Sequence, residues 1–229
     1  MRKEENWTPD QEPSETEIWR FIDIYKLIDL IKKEKLRFSS IDELNDPYEG
    51  RFTKERFESE IEKTINKTGH RPSKARREDA SLAKYLTDND WAVSCWCRHE
   101  SKHLWEIYSN GKFGISIKST VGNVVESLKL EDRELYHGKV EYGKEPSVMS
   151  GQKLYIFHKN RMYKGEDEYR FALHDDMSKS VPCDLKTLID KIHIYPEIKK
   201  WEINRLKELM PKDLRTLVTR SPINENPYE

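Results

Sequence analysis

The stretch IWRFIDIYKLIDLIKKEKLRFSS, residues 18–40, holds the pattern that decides the fold. Trp19 and Phe21 begin an apolar-rich segment. Apolar residues then recur at helical spacing, at Ile24, Leu27, Ile28, Leu30 and Ile31. This stripe predicts a helix with one apolar face. Residues 36–38 (LRF) predict a short strand directly after it, so the chain opens with the order strand, helix, strand.

Two later stretches show strand patterns. WAVSCWC, residues 91–97, has no charged residue, which predicts a buried strand. EYRFALH, residues 168–174, alternates polar and apolar residues, with Tyr169, Phe171 and Leu173 on one face. Further strands are predicted over residues 114–117, 135–142 and 189–195, and helices over 51–65, 80–86, 103–108, 121–128, 153–162 and 196–210. Because the helices and short strands do not strictly alternate, the sequence predicts an α+β fold.

The composition predicts one domain with a small core and a very polar surface. Of the 229 residues, 36% are charged, 35% are hydrophobic and 10% are aromatic, so rings supply much of the apolar surface. Residues 1–16 are polar and contain two prolines, which predicts a flexible arm. Residues 17–220 are predicted to form the single α+β domain, and residues 221–229 a flexible tail.

Charge and cysteine content argue against several classes of protein. The 41 basic and 42 acidic residues give a net charge of −1, which argues against a general nucleic-acid coat protein. No run of about 18 apolar residues is present, so no transmembrane helix is predicted. The first ten residues lack the apolar region of a signal peptide. Three cysteines do not build a disulfide framework, and the sequence therefore predicts a reduced, cytoplasmic protein.

One group of cysteine and histidine residues is a candidate metal site. Alternation puts Cys95, Cys97 and His99 on one side of a strand, and His103 follows soon after. These residue types bind zinc. The first pair has Cys-x-Cys spacing, however, and no distant second pair follows it. Buried thiols are therefore the favoured interpretation, and no metal is predicted.

A run of basic residues is a candidate phosphate-binding segment. It contains Arg71, Lys74, Arg76 and Arg77, whose charges would contact the phosphates of RNA or DNA. A solvated run of charges is the alternative, and it is the interpretation that the sequence favours.

Three blocks of the sequence resemble the domain-of-unknown-function family 2971. The first block contains LRFSS at residues 36–40 and LNDPYE at residues 44–49; the second is CWCRHESKHLWEIYSNGKFG at residues 95–114; the third covers residues 159–171. The likeness extends over roughly residues 18–200, and its first block is the most specific. The family name supplies no chemistry.

The order of a further set of residues resembles the ADP-ribosyltransferase fold. Arg20 stands in the first strand, Ser94 in a strand that precedes a helix and another strand, and Glu166 and Glu168 at the start of a late strand. The resemblance implies short strands in a split antiparallel or mixed sheet with flanking helices. It also implies NAD as the cofactor.

The resemblance assigns these residues roles in cleaving the bond between nicotinamide and ribose. Glu168 would stabilise the positive charge that develops on the ribose, and Glu166 would take a proton from the acceptor. Arg20 would hold a diphosphate or ribose with its planar fork, and Ser94 would position the strand or the nicotinamide ribose. The implied NAD-binding residues are Arg20, Arg37, Ser94, Asn45 and Tyr108. The acceptor stays open between a protein side chain and a nucleic acid, and such an activity would suit a bacterial toxin or phage-defence effector.

Each of these residues also has a structural interpretation. Glu168 would be a solvated strand end or the ion-pair partner of Arg170. Arg20 would be an edge-strand arginine, and Ser94 a small buried residue. A tight turn and core packing are the corresponding alternatives for Asn45 and Tyr108. Trp96 stands where the fold's pattern has a second serine, which supports the alternative function, a non-catalytic nucleic-acid or protein-binding module of the same fold.

Overall fold

The computed structural model describes residues 9–44, 66, 91–108, 114–143, 156–174 and 179–224. The strands are β1 Glu17–Asp23, β2 Lys35–Arg37, β3 Ser39–Ser40, β4 Trp91–Cys97, β5 Gly114–Thr120, β6 Leu135–Lys139, β7 Glu141–Tyr142, β8 His158–Lys159, β9 Glu168–His174, β10 Ser180–Pro182, β11 Lys191–Ile194 and β12 Val218–Arg220. The helices are α1 Ile24–Lys33, α2 Lys102–Tyr108, α3 Val121–Ser127, α4 Leu185–Leu188 and α5 Lys200–Leu209. Short 3-10 turns lie at Ile41–Glu43, Arg161–Glu166, Arg215–Leu217 and Pro222–Asn224.

Most of the strands join one mixed sheet. Its order is β12-β11-β5-β1-β4-β9-β6, and β3 pairs with β4 beside that row. Within this sheet the described pairs are antiparallel except for β11 with β12, which is parallel. Helices pack against this sheet, so the chain is an α+β protein with a mixed sheet. The α+β class is the one that the sequence predicts.

Helix α1 forms where the sequence predicts it. Asp23 begins it, because its side chain accepts a hydrogen bond of 2.8 Å from the Lys26 N–H and satisfies a free donor of the first turn. Leu27 and Leu30 bury the apolar stripe. Glu34, with φ of 49°, ends the helix and turns the chain into β2. Among the described residues, no helix is long and apolar enough to cross a membrane.

We name the side of the large sheet against which α2 packs the α2 face, and the pairing register shows which side chains lie on it. Paired residues share a face, and neighbours along a strand alternate between faces. Trp19 pairs with Cys97, and Cys97 pairs with Glu168, so these three residues lie on the same face. Phe21, two residues after Trp19, is on it too and packs against Trp105 of α2 with ring centres 5.1 Å apart.

The opposite face is covered by the main hydrophobic core, and we name it the core face. Its strands contribute buried apolar side chains, among them Ile22, Ile117, Phe171 and Ile192. Helices α1, α3, α4 and α5 contribute the other side of this core. Arg20 and Ser94 each stand one residue from a residue of the α2 face, so both belong to the core face.

The sheet opens between β1 and β4. These two strands pair at Trp19 and Cys97, whereas the beginning of β4 pairs with β3 instead. Ser94 lies between these two contacts. The described pairing therefore leaves a gap beside Ser94, and the side chain of Arg20 crosses it.

Several predicted elements need correction. The helix predicted over 153–162 is wrong at its described end, because His158–Lys159 pairs with β7 and the following residues form a 3-10 turn capped by the Asn160 side chain. The strand predicted over 135–142 is interrupted at Val140, whose N–H donates to the Glu168 carbonyl. A strand that the sequence does not predict, β12, follows the strand predicted over 189–195. The helices predicted over 51–65 and 80–86 lie outside the described residues.

The segment 9–16, which we name the strap, packs along the domain where the sequence predicts a flexible arm. The Lys139 N–H donates to the Asp10 carbonyl, and the N–H groups of residues 121 and 122 donate to strap carbonyls. Glu12 pairs with Arg98 at 2.5 Å. Gly138 permits the approach, since a Cβ there would lie 2.2 Å from the Pro9 side chain. The polar composition of residues 9–16 does not show that their backbone carbonyls and Glu12 bond to the domain, so the strap could not be predicted from it.

The first residue of the predicted flexible tail, Ser221, is held in place. Ser221 is buried, and its hydroxyl donates to Glu100 at 2.5 Å. The same carboxylate accepts from the Trp105 indole at 2.8 Å and lies 3.0 Å from His193 Nδ1. These contacts join α2, β11 and the residue after β12. Burial opposes the charge of Glu100, but its contacts with His193 and Ser221 hold its pKa below the ordinary value.

Candidate functional site

Four charged side chains meet on the α2 face and form what we name the carboxylate cluster: Lys159, Glu166, Glu168 and Arg170. Lys159 Nζ donates to Glu166 Oε2 at 2.7 Å and lies 3.5 Å from Glu168 Oε1. Arg170 Nε donates to Glu168 Oε2 at 3.0 Å, and its Nη2 contacts the same oxygen. Glu168 is 3% exposed, Glu166 6% and Arg170 0%. The two carboxylates thus share a nearly closed site with two cations.

Local structure explains how the cluster is held. Glu168 and Arg170 stand two residues apart on β9, so they project from the same face of the sheet. Asp167 has φ of 45° and turns the chain between the 3-10 turn and β9. Arg98 fixes that turn, since its side chain pairs with Asp167 at 2.5 Å and its N–H donates to the Asp167 carbonyl. Glu166 and Glu168 are thereby presented together to Lys159.

Glu168 stays ionised in spite of its burial. Burial opposes ionisation, but the nearby charges of Arg170 and Lys159 outweigh it and hold the pKa of Glu168 below its ordinary value. One oxygen is taken by Arg170. Oε1 has the longer contact with Lys159, so it is the oxygen better placed to meet a ligand. A buried, charged carboxylate with specific partners is a feature that functional sites share.

Two tyrosines border the cluster. Burial raises the pKa of Tyr108, and the negative charges of Glu168 and Glu166 raise it further. Burial and Glu168 likewise raise the pKa of Tyr142, whose hydroxyl accepts a hydrogen bond of 2.8 Å from the Glu168 N–H. The Tyr108 ring stacks on Phe21, with centres 5.9 Å apart and planes at 20°. The cluster therefore has an aromatic wall and un-ionised phenol groups.

Cys97 shows no sign of being reactive. Cys97 is buried, and burial together with the charges of Glu168 and Glu166 raises its pKa well above the ordinary value. A thiol kept protonated is a poor nucleophile and a poor metal ligand. His99 instead contacts Asp167 at 3.5 Å. Within the described ranges, no three histidine, cysteine or acidic side chains are grouped as a metal site.

Arg20 and Ser94 form a separate contact on the core face. Arg20 Nη1 donates to Ser94 Oγ at 2.7 Å, and Nη2 donates to the Arg37 carbonyl at 2.8 Å. The guanidinium lies 5.9 Å from the centre of the Trp96 ring, whose indole also donates to Ser94. Burial lowers the pKa of Arg20 to about 10, so it is still charged at neutral pH.

The structure thus gathers the predicted site residues into two groups rather than one. Glu166 and Glu168 meet on the α2 face, and Tyr108 stacks on Phe21 of the same face. Arg20 and Ser94 meet on the core face, beside the backbone of Arg37. The sheet itself separates the two groups, so Arg20 and Ser94 do not reach Glu168. The other predicted residues lie outside the described part of the chain: Asn45, Arg71, Lys74, Arg76 and Arg77.

Sequence reasoning missed Lys159 and Tyr142. Lys159 lay inside a predicted helix, where its neighbours would have been three and four residues away rather than across a turn. Tyr142 belonged to a predicted strand with no assigned role. The alternation of β9 contained a usable signal, because it places Arg170 on the same face as Glu168. The ion pair between them was one of the two structural interpretations, and it is the one that forms.

Comparisons with known proteins add little to this geometry. No family model matches the sequence, and no curated protein matches it. A solved structure described as Thermus sp. 2.9 DarT in complex with ADP-ribosylated ssDNA is similar over 93% of this chain and 98% of that chain. The sequence identity is 10% and the TM-score is 0.43. A likeness of this size assigns neither a fold family nor an activity to the chain.

Proposed function

We propose that the chain is an ADP-ribosyltransferase-like enzyme that uses NAD and that its active site is the carboxylate cluster. The observation that carries the proposal is the pair of buried carboxylates, Glu166 and Glu168, bridged by Lys159 beside the Tyr108 ring. This arrangement suits a reaction in which positive charge develops on a sugar. The resemblance of the sequence to the transferase fold assigns roles to Glu166 and Glu168, and it also assigns roles to Arg20 and Ser94, which lie on the other face.

Glu168 acts through its charge. As the bond to nicotinamide breaks, the bonding electrons leave with the nicotinamide and the ribose carbon becomes positive. Glu168 Oε1 stabilises that charge, while Arg170 holds the other oxygen in place. Because the carboxylate is already ionised and fixed, no reorganisation is needed at the moment of reaction.

Glu166 and Lys159 act on the acceptor. An acceptor oxygen or nitrogen attacks the ribose carbon and must lose a proton. Glu166 takes that proton, and its 2.7 Å contact with Lys159 orients it. Tyr108 and Phe21 offer an aromatic surface for the nicotinamide ring. The acceptor belongs to a protein or a nucleic acid.

Binding of NAD is the first test of this proposal. At 100 times its dissociation constant, a ligand that binds the native state alone raises stability by about 2.7 kcal/mol. We expect NAD to raise the free energy of unfolding of the wild-type chain by such an amount. Tyr108→Ala should reduce the shift, and Tyr25→Ala is the matched control, because Tyr25 is an exposed tyrosine on α1. The absence of any stabilisation by millimolar NAD would contradict the proposed enzyme activity.

A non-catalytic binding module of the same fold is the second candidate. The observation that favours it is the neutralisation of Glu168 by Arg170, together with the placement of Arg20 and Ser94 on the other face. The two candidates differ in product. The module binds its ligand without releasing nicotinamide, whereas the enzyme releases it at a rate that depends on Glu168.

A further inference from the structure

Arg98, the residue directly after β4, contacts two segments that are far apart in the chain. Its Nη1 donates to Glu12 Oε1 of the strap at 2.5 Å, and its Nε donates to Asp167 Oδ1 at 3.2 Å. Its Nη2 donates to the same Asp167 oxygen. Burial opposes the charge of Arg98, but Asp167 and Glu12 raise its pKa above the ordinary value. One guanidinium group thus joins the strap to the turn that precedes β9.

The Asp167 turn sets the direction of both carboxylates of the cluster, because Glu166 and Glu168 are its neighbours in the chain. Asp167 has φ of 45°, which is unfavourable for a residue with a side chain. Such a conformation persists only where surrounding contacts hold it. Arg98 supplies three of them, since its main-chain N–H donates to the Asp167 carbonyl at 3.0 Å and its side chain makes the two contacts above. The position of Arg98 therefore affects the position of both carboxylates.

Two anchors hold Glu12 beside Arg98. On one side of Glu12, the Asp10 carbonyl accepts from the Lys139 N–H at 2.8 Å, and the Lys139 ammonium lies 2.7 Å from the Asp10 carboxylate and 3.4 Å from that of Glu12. On the other side, the carbonyls of residues 14 and 16 accept from the first N–H groups of α3. The Glu12 side chain is only 18% exposed. The strap thus presents one carboxylate to Arg98 from a fixed backbone.

We infer that Arg98 is a positioning residue for the carboxylate cluster and that the strap regulates the cluster through the contact between Glu12 and Arg98. The inference rests on the proposed function. With the strap in place, the Asp167 turn is held and both carboxylates stay near Lys159. When the strap detaches, Arg98 loses one of its two carboxylate partners, and the carboxylates of the cluster spend less time in the reactive arrangement. NAD cleavage then slows, whereas NAD binding changes little.

Nicotinamide release at a series of NAD concentrations tests the positioning role. Glu12→Gln should lower kcat by about threefold or more and leave KM within about twofold, because a displaced reacting group lowers the rate more than the binding. Asp10→Asn is the matched control, because it removes a charge from the same strap, keeps the carbonyl that anchors it, and changes a side chain that pairs with Lys139. Its kcat should stay within about twofold of the wild-type value.

A double-mutant cycle separates this role from a general loosening of the strap. Arg98→Gln should lower kcat by about tenfold or more. Arg98→Lys, which keeps the charge without the planar fork, should lower it as well. If Glu12 acts through Arg98, adding Glu12→Gln to Arg98→Gln should lower kcat no further. Independent losses that multiply would overturn the inference.

Hydrogen exchange of the backbone amides in residues 161–168 gives a readout that needs no activity. These amides should exchange about threefold faster or more in Glu12→Gln than in the wild-type chain or Asp10→Asn, while the urea midpoints of all three stay nearly equal. If the wild-type chain releases no nicotinamide, the proposed function fails, and the local difference in exchange alone supports the coupling of the strap to the turn. The inference is overturned if Glu12→Gln exchanges as Asp10→Asn does, or if it keeps the kcat of an active wild-type chain.

Discussion

The two faces of the central sheet both bury apolar side chains, but the α2 face also buries a cluster of ion pairs. On the core face, β1, β5, β9 and β11 bury apolar side chains against four helices. On the α2 face, β9 buries Glu168 and Arg170, and the residues around them add Glu166 and Lys159. Burial of apolar surface stabilises the first face, and this effect does not require contacts in a particular direction. The second face has a smaller apolar cluster, which includes Trp91, Val93 and Phe157, and its ion pairs depend on specific geometry.

Strand β9 shows the difference within seven residues. Tyr169, Phe171 and Leu173 point to the core face, and Glu168, Arg170 and Ala172 to the α2 face. A pattern of alternating polar and apolar residues usually means that the polar side faces water. Here the polar side is closed as well. Burying charges costs stability, so the α2 face is the candidate for a functional site, and the proposed activity is assigned to it.

Loss of Arg170 should have the largest effect on stability. Arg170→Met leaves Glu168 buried and charged without its main partner, and we expect unfolding to become easier by about 3–5 kcal/mol. Urea denaturation of both chains measures this. A loss below about 1 kcal/mol would show that water reaches Glu168 and that the two faces do not differ as described.

The stability that the Glu168–Arg170 pair contributes should change with pH in a definite direction. In the wild-type chain the folded-state pKa of Glu168 is lowered, so its contribution is present above the unfolded value of about 4.3 and is lost as pH falls through the folded value. In Arg170→Met, burial raises that pKa instead. The destabilisation should therefore be smaller at pH 5 than at pH 8, and an equal loss at both would contradict the charge pairing.

Truncation on the core face should be nearly as costly but independent of pH. Ile117 is fully buried between Arg20 of β1 and Ile192 of β11. Ile117→Ala should lower the stability by about 2–5 kcal/mol, because it removes apolar contacts and leaves a cavity. Urea denaturation at pH 5 and pH 8 should give the same loss. Arg20 keeps its charge over this range, so a strong pH dependence would show that another titrating group contributes to the loss.

A smaller effect is expected where the strap meets β6. Gly138→Ala places a Cβ 2.2 Å from the Pro9 side chain and 2.9 Å from the Asp10 carbonyl, so the strap must move. We expect a loss of about 1–2 kcal/mol and faster proteolysis within residues 9–16. Gly165→Ala is the matched control, because its Cβ would meet nothing nearer than 3.8 Å. Equal behaviour of the two variants would mean that the strap is loose in solution.

The smallest effect concerns α1, which lies against the core face. Asp23→Ala removes the side chain that accepts from the Lys26 N–H and should cost about 1 kcal/mol. Asp29→Ala, which removes an exposed ion pair with Lys33, should cost no more than about 0.5 kcal/mol. Both variants should keep full activity, because the described ion pairs of Asp23 and Asp29 are with lysines of α1 and not with the carboxylate cluster. Thermal denaturation distinguishes the two losses.

Much of the fold follows from local patterns in the sequence. The α1 stripe, the uncharged run of β4 and the alternation of β9 each predict the element that forms, because burial imposes its period on each of them. The mixed α+β class follows from their order. The short pairing of β7 with β8 was not predictable, since it depends on Glu141 and His158 being brought together by the rest of the chain.

The candidate site was predicted only in part, for a related reason. Glu166, Glu168 and Tyr108 were found from their place in the sequence. Their separation from Arg20 and Ser94 depends on the register of β1 with β4, and one residue of shift would exchange the faces. Neither strand carries a local signal for that register, so the sequence could not show that the predicted group of residues divides in two.

Release of nicotinamide from NAD, measured by chromatography for three chains, tests the central claim most directly. Glu168→Gln keeps the volume of the side chain and removes its charge, so the rate should fall by about a hundredfold or more relative to the wild-type chain, some 2.7 kcal/mol of lost stabilisation. Glu100→Gln changes a partly buried carboxylate that pairs with His193 outside the cluster and should keep most of the rate. Both variants are assayed under conditions in which denaturation curves show them folded. Release by Glu168→Gln at the rate of Glu100→Gln would contradict the account.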